Sequence, residues 1–200
     1  WGNVYDIYPL QMSPGVVSTF RLCDFLQETL KREGYALVVK YEPLVGFSLL
    51  EGTPEFFEKV TGMPMDKKGS PLPASLPEAA KAIELLVATE QGRVGILLNF
   101  ASRMGHLCQA DAEPFFYRMF RLAGNASPGI SRPGAGGSSA APGSSALFPR
   151  FNPVVWVLDK ENDLPAWFAL ENQRLRVLPL PRPDHEIRRC MVNSIAPNIE

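Results

Sequence analysis

The sequence predicts an α/β domain in which a parallel β-sheet is flanked by helices on both faces. Three observations carry that expectation. Short apolar runs of strand length alternate along the chain with longer stretches whose apolar residues recur at helical spacing. The run Val154 to Leu158 is continuously apolar rather than alternating, as a parallel strand covered on both faces must be. With 200 residues, 46% of them hydrophobic, the chain suits one domain with a sizeable core rather than two.

In chain order, Val4 to Leu10 reads as a first strand and Ser13 to Thr19 as a turn that opens a helix running from Val16 to Arg32. That helix carries Phe20, Leu22, Phe25, Leu26 and Leu30 on one stripe and stops at Gly34. Tyr35 to Tyr41 is a second strand. The passage from Pro43 to Pro73 is loop-rich, with one short helix expected at Pro54 to Thr61. Ser75 and Glu78 form a capping box, which opens a helix burying Ala82, Ile83, Leu86 and Val87 and ending before Gly92.

Val94 to Phe100 is the third strand. Asp111 is placed to cap a helix with Pro114 in its first turn and Phe115, Phe116, Met119, Phe120 and Leu122 to bury, closed by Gly124. Ser127 to Ala146 is almost wholly Gly, Pro, Ser and Ala, so 127–146 is expected to be a flexible insertion within a single domain spanning 1–200. The fourth strand, Val154 to Leu158, ends in the polar cluster Asp159 to Asp163. Open α/β sheets place ligands at such strand ends. A short helix, a further strand around Leu178-Pro179-Leu180 and a helix start near Asp184 complete the pattern.

The order of features from Asn152 to Arg188 resembles the sensor-1 to box-VII region of AAA+ ATPases. Asn162 stands on the turn after the strand, Leu164-Pro165 follows, then Arg174 and Arg176, then Leu178 to Pro181, Asp184 and Arg188. The resemblance implies a P-loop NTPase-like three-layer core, here without the helical lid. It implies Pro14, Gly15, Ser18 and Thr19 as a phosphate loop, Asn99 as the metal-side residue, Asn162 as the sensor, and Arg174 as an arginine that reaches a neighbouring subunit.

Where the chain departs from the family pattern, it loses charge. A phosphate loop uses glycines to curl backbone N–H groups round phosphates and a Lys to neutralise them. Here Val17 replaces a Gly and Ser18 replaces the Lys, while Asn99 and Phe100 replace the two carboxylates of the third strand. An amide carries no charge and a phenyl ring accepts no proton, which argues against metal-assisted phosphoryl transfer. The resemblance thus points to ATP or ADP as the ligand class and argues against firm Mg²⁺ binding. It resembles the degenerate first domain of tandem AAA+ proteins, which serves regulation, assembly or scaffolding beside an active ATPase domain.

Two other readings stay open. Asp159, Glu161 or Asp163 could supply the missing carboxylate of an atypical ATPase. A different Rossmann-like binding domain would also fit the alternation, although no G-x-G-x-x-G follows the first strand and no G-x-S-x-G occurs. A plain strand-to-helix turn at Pro14-Gly15 and a strand-end hydrogen bond at Asn99 are the simplest structural explanations of those residues.

Lys and Arg number 20 against 21 Asp and Glu, without a basic run, so no electrostatic footprint for nucleic acid is present. Three Cys at 23, 108 and 190 are too few and too far apart for a disulfide framework, and they suit a reducing cytoplasm. His106 and His185 have no zinc-ligand spacing, so no metal is expected. No apolar run approaches the roughly 20 residues that span a bilayer. The partners expected are other AAA+ domains or subunits and an unidentified client, and the chain itself, opening on Trp1, is expected to be part of a longer one.

Overall fold

The computed structural model describes residues 7–13, 16–66, 70–126, 129–130, 149–180 and 184–195. Strands β1 (Ile7–Ser13) and β2 (Val16–Arg21) form an antiparallel hairpin in which Pro9 faces Thr19 and Leu10 faces Ser18. β2 runs directly into helix α1 (Leu22–Arg32). The single helix expected from Val16 to Arg32 is therefore a strand followed by a helix. Val16, Val17, Thr19 and Phe20 are β-branched or aromatic, and the neighbouring β1 supplies the pairing that makes a strand of them.

Asp24 in the first turn of α1 and Lys31 and Arg32 in its last turn match the helix dipole. Gly34, at φ +77°, ends it in a Schellman motif, with Tyr35 N–H on the Leu30 carbonyl at 3.1 Å and Gly34 N–H on the Lys31 carbonyl at 3.0 Å.

β3 (Leu37–Glu42) turns back into β4 (Gly46–Glu51), an antiparallel partner within the passage read as loop. The turn has Pro43 second and Leu44 third, and Val45 N–H closes it on the Glu42 carbonyl at 3.3 Å. Leu44 takes φ +68°, the value that a third position ordinarily gives to glycine. Gly46 is obligatory for a different reason: a Cβ there would lie 1.9 Å from the Leu72 carbonyl oxygen. That close approach lets Phe47 and Leu72 exchange two backbone hydrogen bonds at 2.8 and 2.7 Å.

α2 (Pro54–Thr61) occupies the span the sequence predicts, with Thr53 Oγ1 accepting from Phe56 N–H at 3.3 Å. α3 (Leu76–Ala88) opens on the expected capping box, where Ser75 N–H and Oγ–H both reach Glu78 Oε2, at 2.8 and 2.7 Å. It stops short of Gly92. Next come β5 (Val94–Leu98), a 3-10 turn at Ala101–Arg103, α4 (Met104–Leu107) and α5 (Gln109–Asn125). α5 starts earlier than predicted, so Asp111 lies in its first turn instead of capping it. The Cys108 carbonyl accepts from Asp111 and Ala112 N–H at 3.0 and 2.9 Å.

β6 (Gly129–Ile130) and β7 (Pro149–Arg150) pair antiparallel. The rest of the 127–146 insertion lies outside the described residues. After β8 (Val154–Trp156) come a 3-10 turn at Glu161–Asp163, α6 (Ala166–Leu170) and finally α7 (His185–Ile195). The strand expected around Leu178 to Leu180 is not formed. Pro179 lacks the N–H that a ladder needs.

The main sheet has the order β4-β3-β5-β8. β3, β5 and β8 are parallel, and β4 adds an antiparallel edge, so the sheet is mostly rather than wholly parallel. The β1–β2 hairpin, which holds Ile7 to Leu10 of the expected first strand while Val4 to Asp6 lie outside the described residues, is a separate sheet packed beside α1. Alternation along the strands sets the layers. Leu37, Val39, Tyr41, Val94, Ile96 and Leu98 join the main core with residues of α2, α3, α5 and α6. Val38 and Leu97 point to the opposite face, buried on the side that α1 covers. α1 approaches so closely that a Cβ on Gly95 would meet Leu30 Cδ1 at 2.8 Å.

Aromatic packing fixes β8 to its helices. Trp156 lies 5.0 Å from Phe168, 5.8 Å from Phe116 and 6.0 Å from Phe115, ring centre to ring centre. Such contacts add about 1 kcal/mol per pair to the area they bury.

One side chain joins three elements at the amino edge of the sheet. Asn152 Nδ2 donates to the carbonyls of Leu86, Val87 and Thr89 at 3.2, 3.2 and 3.1 Å, while its Oδ1 accepts from Val94 N–H at 2.9 Å. These bonds cap α3, which explains its end at Ala88, and pin the first residue of β5. Asn152→Ala strands the carbonyls and the N–H together, so we expect a loss of about 2–3 kcal/mol in urea unfolding. Asn152→Asp, which keeps only the acceptor, is expected to recover little of it.

Candidate functional site

The chemistry-bearing residues gather at the carboxyl edge of the sheet, where an α/β fold presents its strand ends. Lys40 and Glu42, two residues apart on β3, share its α1 face. Lys40 Nζ lies 2.8 Å from Glu42 Oε1, and Asn99 Nδ2 donates to that same oxygen at 2.7 Å. Asn99 follows β5 directly, and its own N–H bonds the Tyr41 carbonyl at 2.9 Å. It is 7% exposed, the one buried polar residue among those described, and its Oδ1 is buried without a hydrogen-bond partner there.

Glu42 has two opposed influences. Burial disfavours its charge, but the hydrogen bonds from Lys40 and Asn99 outweigh that and hold its carboxyl below the ordinary value. Cys23, in the first turn of α1, faces the same group. Burial is the main reason its thiol is pushed up to about 11, with Lys40 opposing and Glu42 and Asp24 adding to the rise. So shifted, Cys23 is a packed thiol and a poor nucleophile.

Beyond Asn99 the chain turns sharply, with Phe100 at φ +53°. The turn brings Ala101 N–H to the Val157 carbonyl at 3.3 Å and Ser102 Oγ to Asp159 N–H at 2.8 Å. Arg103 and Asp159 add a loose, half-exposed ion pair at 3.6 Å, worth little by itself. The loops after β5 and β8 are thereby tied to each other.

Of the residues the sequence singles out, Asn99 lies in this cluster and the others do not join it. Ser18 and Thr19 are half-buried strand residues of β2, and Pro14 and Gly15 lie outside the described residues. The hairpin folds back along α1: Tyr8 stacks near Phe25 at 5.8 Å, and Met12 Sδ accepts from Arg32 Nη2 at 3.0 Å. Arg32 ends α1 at the amino edge of the sheet, where Arg93, just before β5, donates to the Glu33 carbonyl and covers the Tyr35 ring at 4.1 Å. Met12 and Ser13 are therefore at the opposite end of α1 from Asn99.

Asn162 is exposed on the 3-10 turn. Of the acids considered as substitute carboxylates, Asp163 accepts from Lys160 N–H at 2.8 Å, while the Asp159 carboxylate has the loose Arg103 pair and its backbone N–H is what bonds Ser102. The Glu161 side chain lies outside the described residues. Arg174 is held by its own chain, donating to the Ala126 carbonyl at the end of α5 and lying over Phe151 at 5.2 Å.

This donor set fits a magnesium nucleotide poorly. Glu42, the carboxylate that ends β3, is already neutralised by Lys40, and the amide at the metal-side position is bonded to it. No group of three or more His, Cys, Asp or Glu gathers as a metal site among the described residues. The Lys40–Glu42 partnership is announced by no motif in the sequence. Its signal was two opposite charges at i and i+2 on an otherwise buried strand, a pattern that wants an internal partner.

Residues 1–181 match the family described as AAA+ chaperone, N-terminal Rossmann-like domain. The match covers most of the 200 residues, and the chain belongs to that family. No curated protein and no solved structure matches the chain. Among the described residues no helix is long and apolar enough to cross a membrane.

The Glu42 cluster makes stability depend on pH with a definite sign. A carboxyl held below its unfolded value stabilises the fold above that value, and the contribution fades as pH falls through the folded one. Unfolding free energies from urea titration of the wild type and Glu42→Gln, compared from about pH 7 to about pH 3, should differ by about 1–2 kcal/mol at the upper end. The gap should close as the pH falls.

Proposed function

We propose that this chain is a non-hydrolysing AAA+-associated domain that regulates or scaffolds an active ATPase domain, in the same protein or on a partner subunit. The observation that carries the reading is that Met12, at the far end of the hairpin whose β2 holds Ser18 and Thr19, lies by Arg32 at the amino edge, whereas Asn99 lies at the carboxyl edge. Phosphoryl transfer needs a phosphate cradle and a metal side within one ligand's reach, since its catalysis is positioning and charge stabilisation.

At the carboxyl edge the charges answer one another. A Lys–Glu–Asn chain bonded within the fold stabilises a strand end, and it leaves no net charge to attract a triphosphate. Coupling to partners would then run through surfaces rather than chemistry, with other AAA+ domains or subunits as the partners the family relation favours.

Calorimetric titration with ATP and with ADP, each with and without Mg²⁺, tests this. No heat up to millimolar nucleotide is expected, for the wild type and for Thr19→Ala alike. Micromolar, Mg²⁺-dependent binding that disappears in Thr19→Ala or Asn99→Ala would overturn the reading.

A further inference from the structure

On the other face of β3 from the Glu42 cluster, a cleft of about 440 Å³ opens between the β3–β4 turn and the start of α3 and α5. Tyr41 and Leu76 form its floor, Leu44 and Leu107 its walls, and Glu78 and Asp111 its rim. Among the described residues that line it there is no Lys or Arg.

Leu44 is the informative residue. It is 74% exposed, so its side chain gains little from the fold. Its backbone is also in the left-handed region at φ +68°, in a turn position where glycine is the unstrained choice. Leu107, across the cleft, is 50% exposed. Two large apolar side chains thus face one opening at a cost that folding does not explain. The rim adds a sign, because Ser75 holds the Glu78 carboxyl ionised through its side-chain and backbone hydrogen bonds, and only Oε2 is used in doing so.

We infer that this cleft docks an extended peptide segment of a partner protein through a Leu- or Phe-sized side chain flanked by Lys or Arg. The volume accommodates one or two such side chains. The apolar walls take the anchor, and the two rim carboxylates take the flanking cations, which is the charge complementarity that selects a basic over an acidic segment. The inference stands whether or not the domain binds nucleotide, since the cleft shares no side chain with the Glu42 cluster.

The probes for the test are fluorescein-labelled peptides on a Gly-Ser framework with a central Leu-Lys-Leu-Lys, read by fluorescence anisotropy and by amide chemical shifts of the protein. The wild type is expected to bind, with shifts at Leu44 and Leu107. A peptide with Glu in place of Lys should bind about tenfold more weakly, and the difference should shrink with added salt. Leu44→Gly should weaken binding at least about tenfold while the urea midpoint holds or rises, because the turn favours glycine. Leu107→Ser serves if that variant fails to fold. Asp111→Asn should lessen the preference for Lys.

No binding up to millimolar peptide would overturn the proposal. So would equal binding by a folded Leu44→Gly, or equal binding of the acidic peptide. Concentration-dependent dimerisation of the wild type, lost in Leu44→Gly, would overturn it in favour of a second copy of the chain.

Discussion

The amide of Asn152 holds the amino edge of the domain together. It gathers the last carbonyls of α3 and the first N–H of β5, and it stands two residues before β8. A helix end leaves carbonyls without partners, and burying them unmet costs more than any single bond returns. One planar side chain with two donors and an acceptor meets that need and sets the register of a strand at the same time. The parallel pairing of β5 with β3 on one side and β8 on the other follows from that fixed start. So does the placement of Asn99 at the far end of β5.

At the carboxyl edge the same rule produces a different result. Two charged side chains on a buried strand must find partners, and Lys40 and Glu42 find each other, with Asn99 completing the carboxylate's shell. Side-chain exposures of 23% and 15% leave this pair only partly screened by solvent. The interaction therefore counts for more than the surface pair Lys31–Glu51, whose lysine is 52% exposed. A carboxylate so paired supports the fold, and a ligand would have to displace Lys40 or Asn99 in order to use it.

Much of the architecture was legible. Local signals with a mechanism placed their elements well: the Ser75–Glu78 box for α3 and Gly34 for the end of α1. Membership of an AAA+-associated family was also legible, from the order of features between Asn152 and Arg188. What failed depended on partners distant in sequence. Val16 to Arg21 has enough apolar residues for a helix, and only the presence of β1 makes it a strand. Gly46 to Glu51 becomes β4 because β3 turns back on it. The candidate site was legible at Asn99 alone, since nothing local announces that Glu42 and Lys40 from the neighbouring strand will bond to it or to each other.

The central claim, that the Ser13–Val16 end of the hairpin and the Asn99 end of the sheet lie apart, can be measured directly. Spin labels at Met12→Cys and Arg103→Cys, in a chain with Cys23, Cys108 and Cys190 replaced, would report their separation by pulsed electron resonance. The labelled positions should lie at least the length of α1 apart, which for its 11 residues is about 16 Å. A distance of about 10 Å or less would bring the Ser13–Val16 end of the hairpin beside Asn99, as a working phosphate loop requires, and would contradict the account.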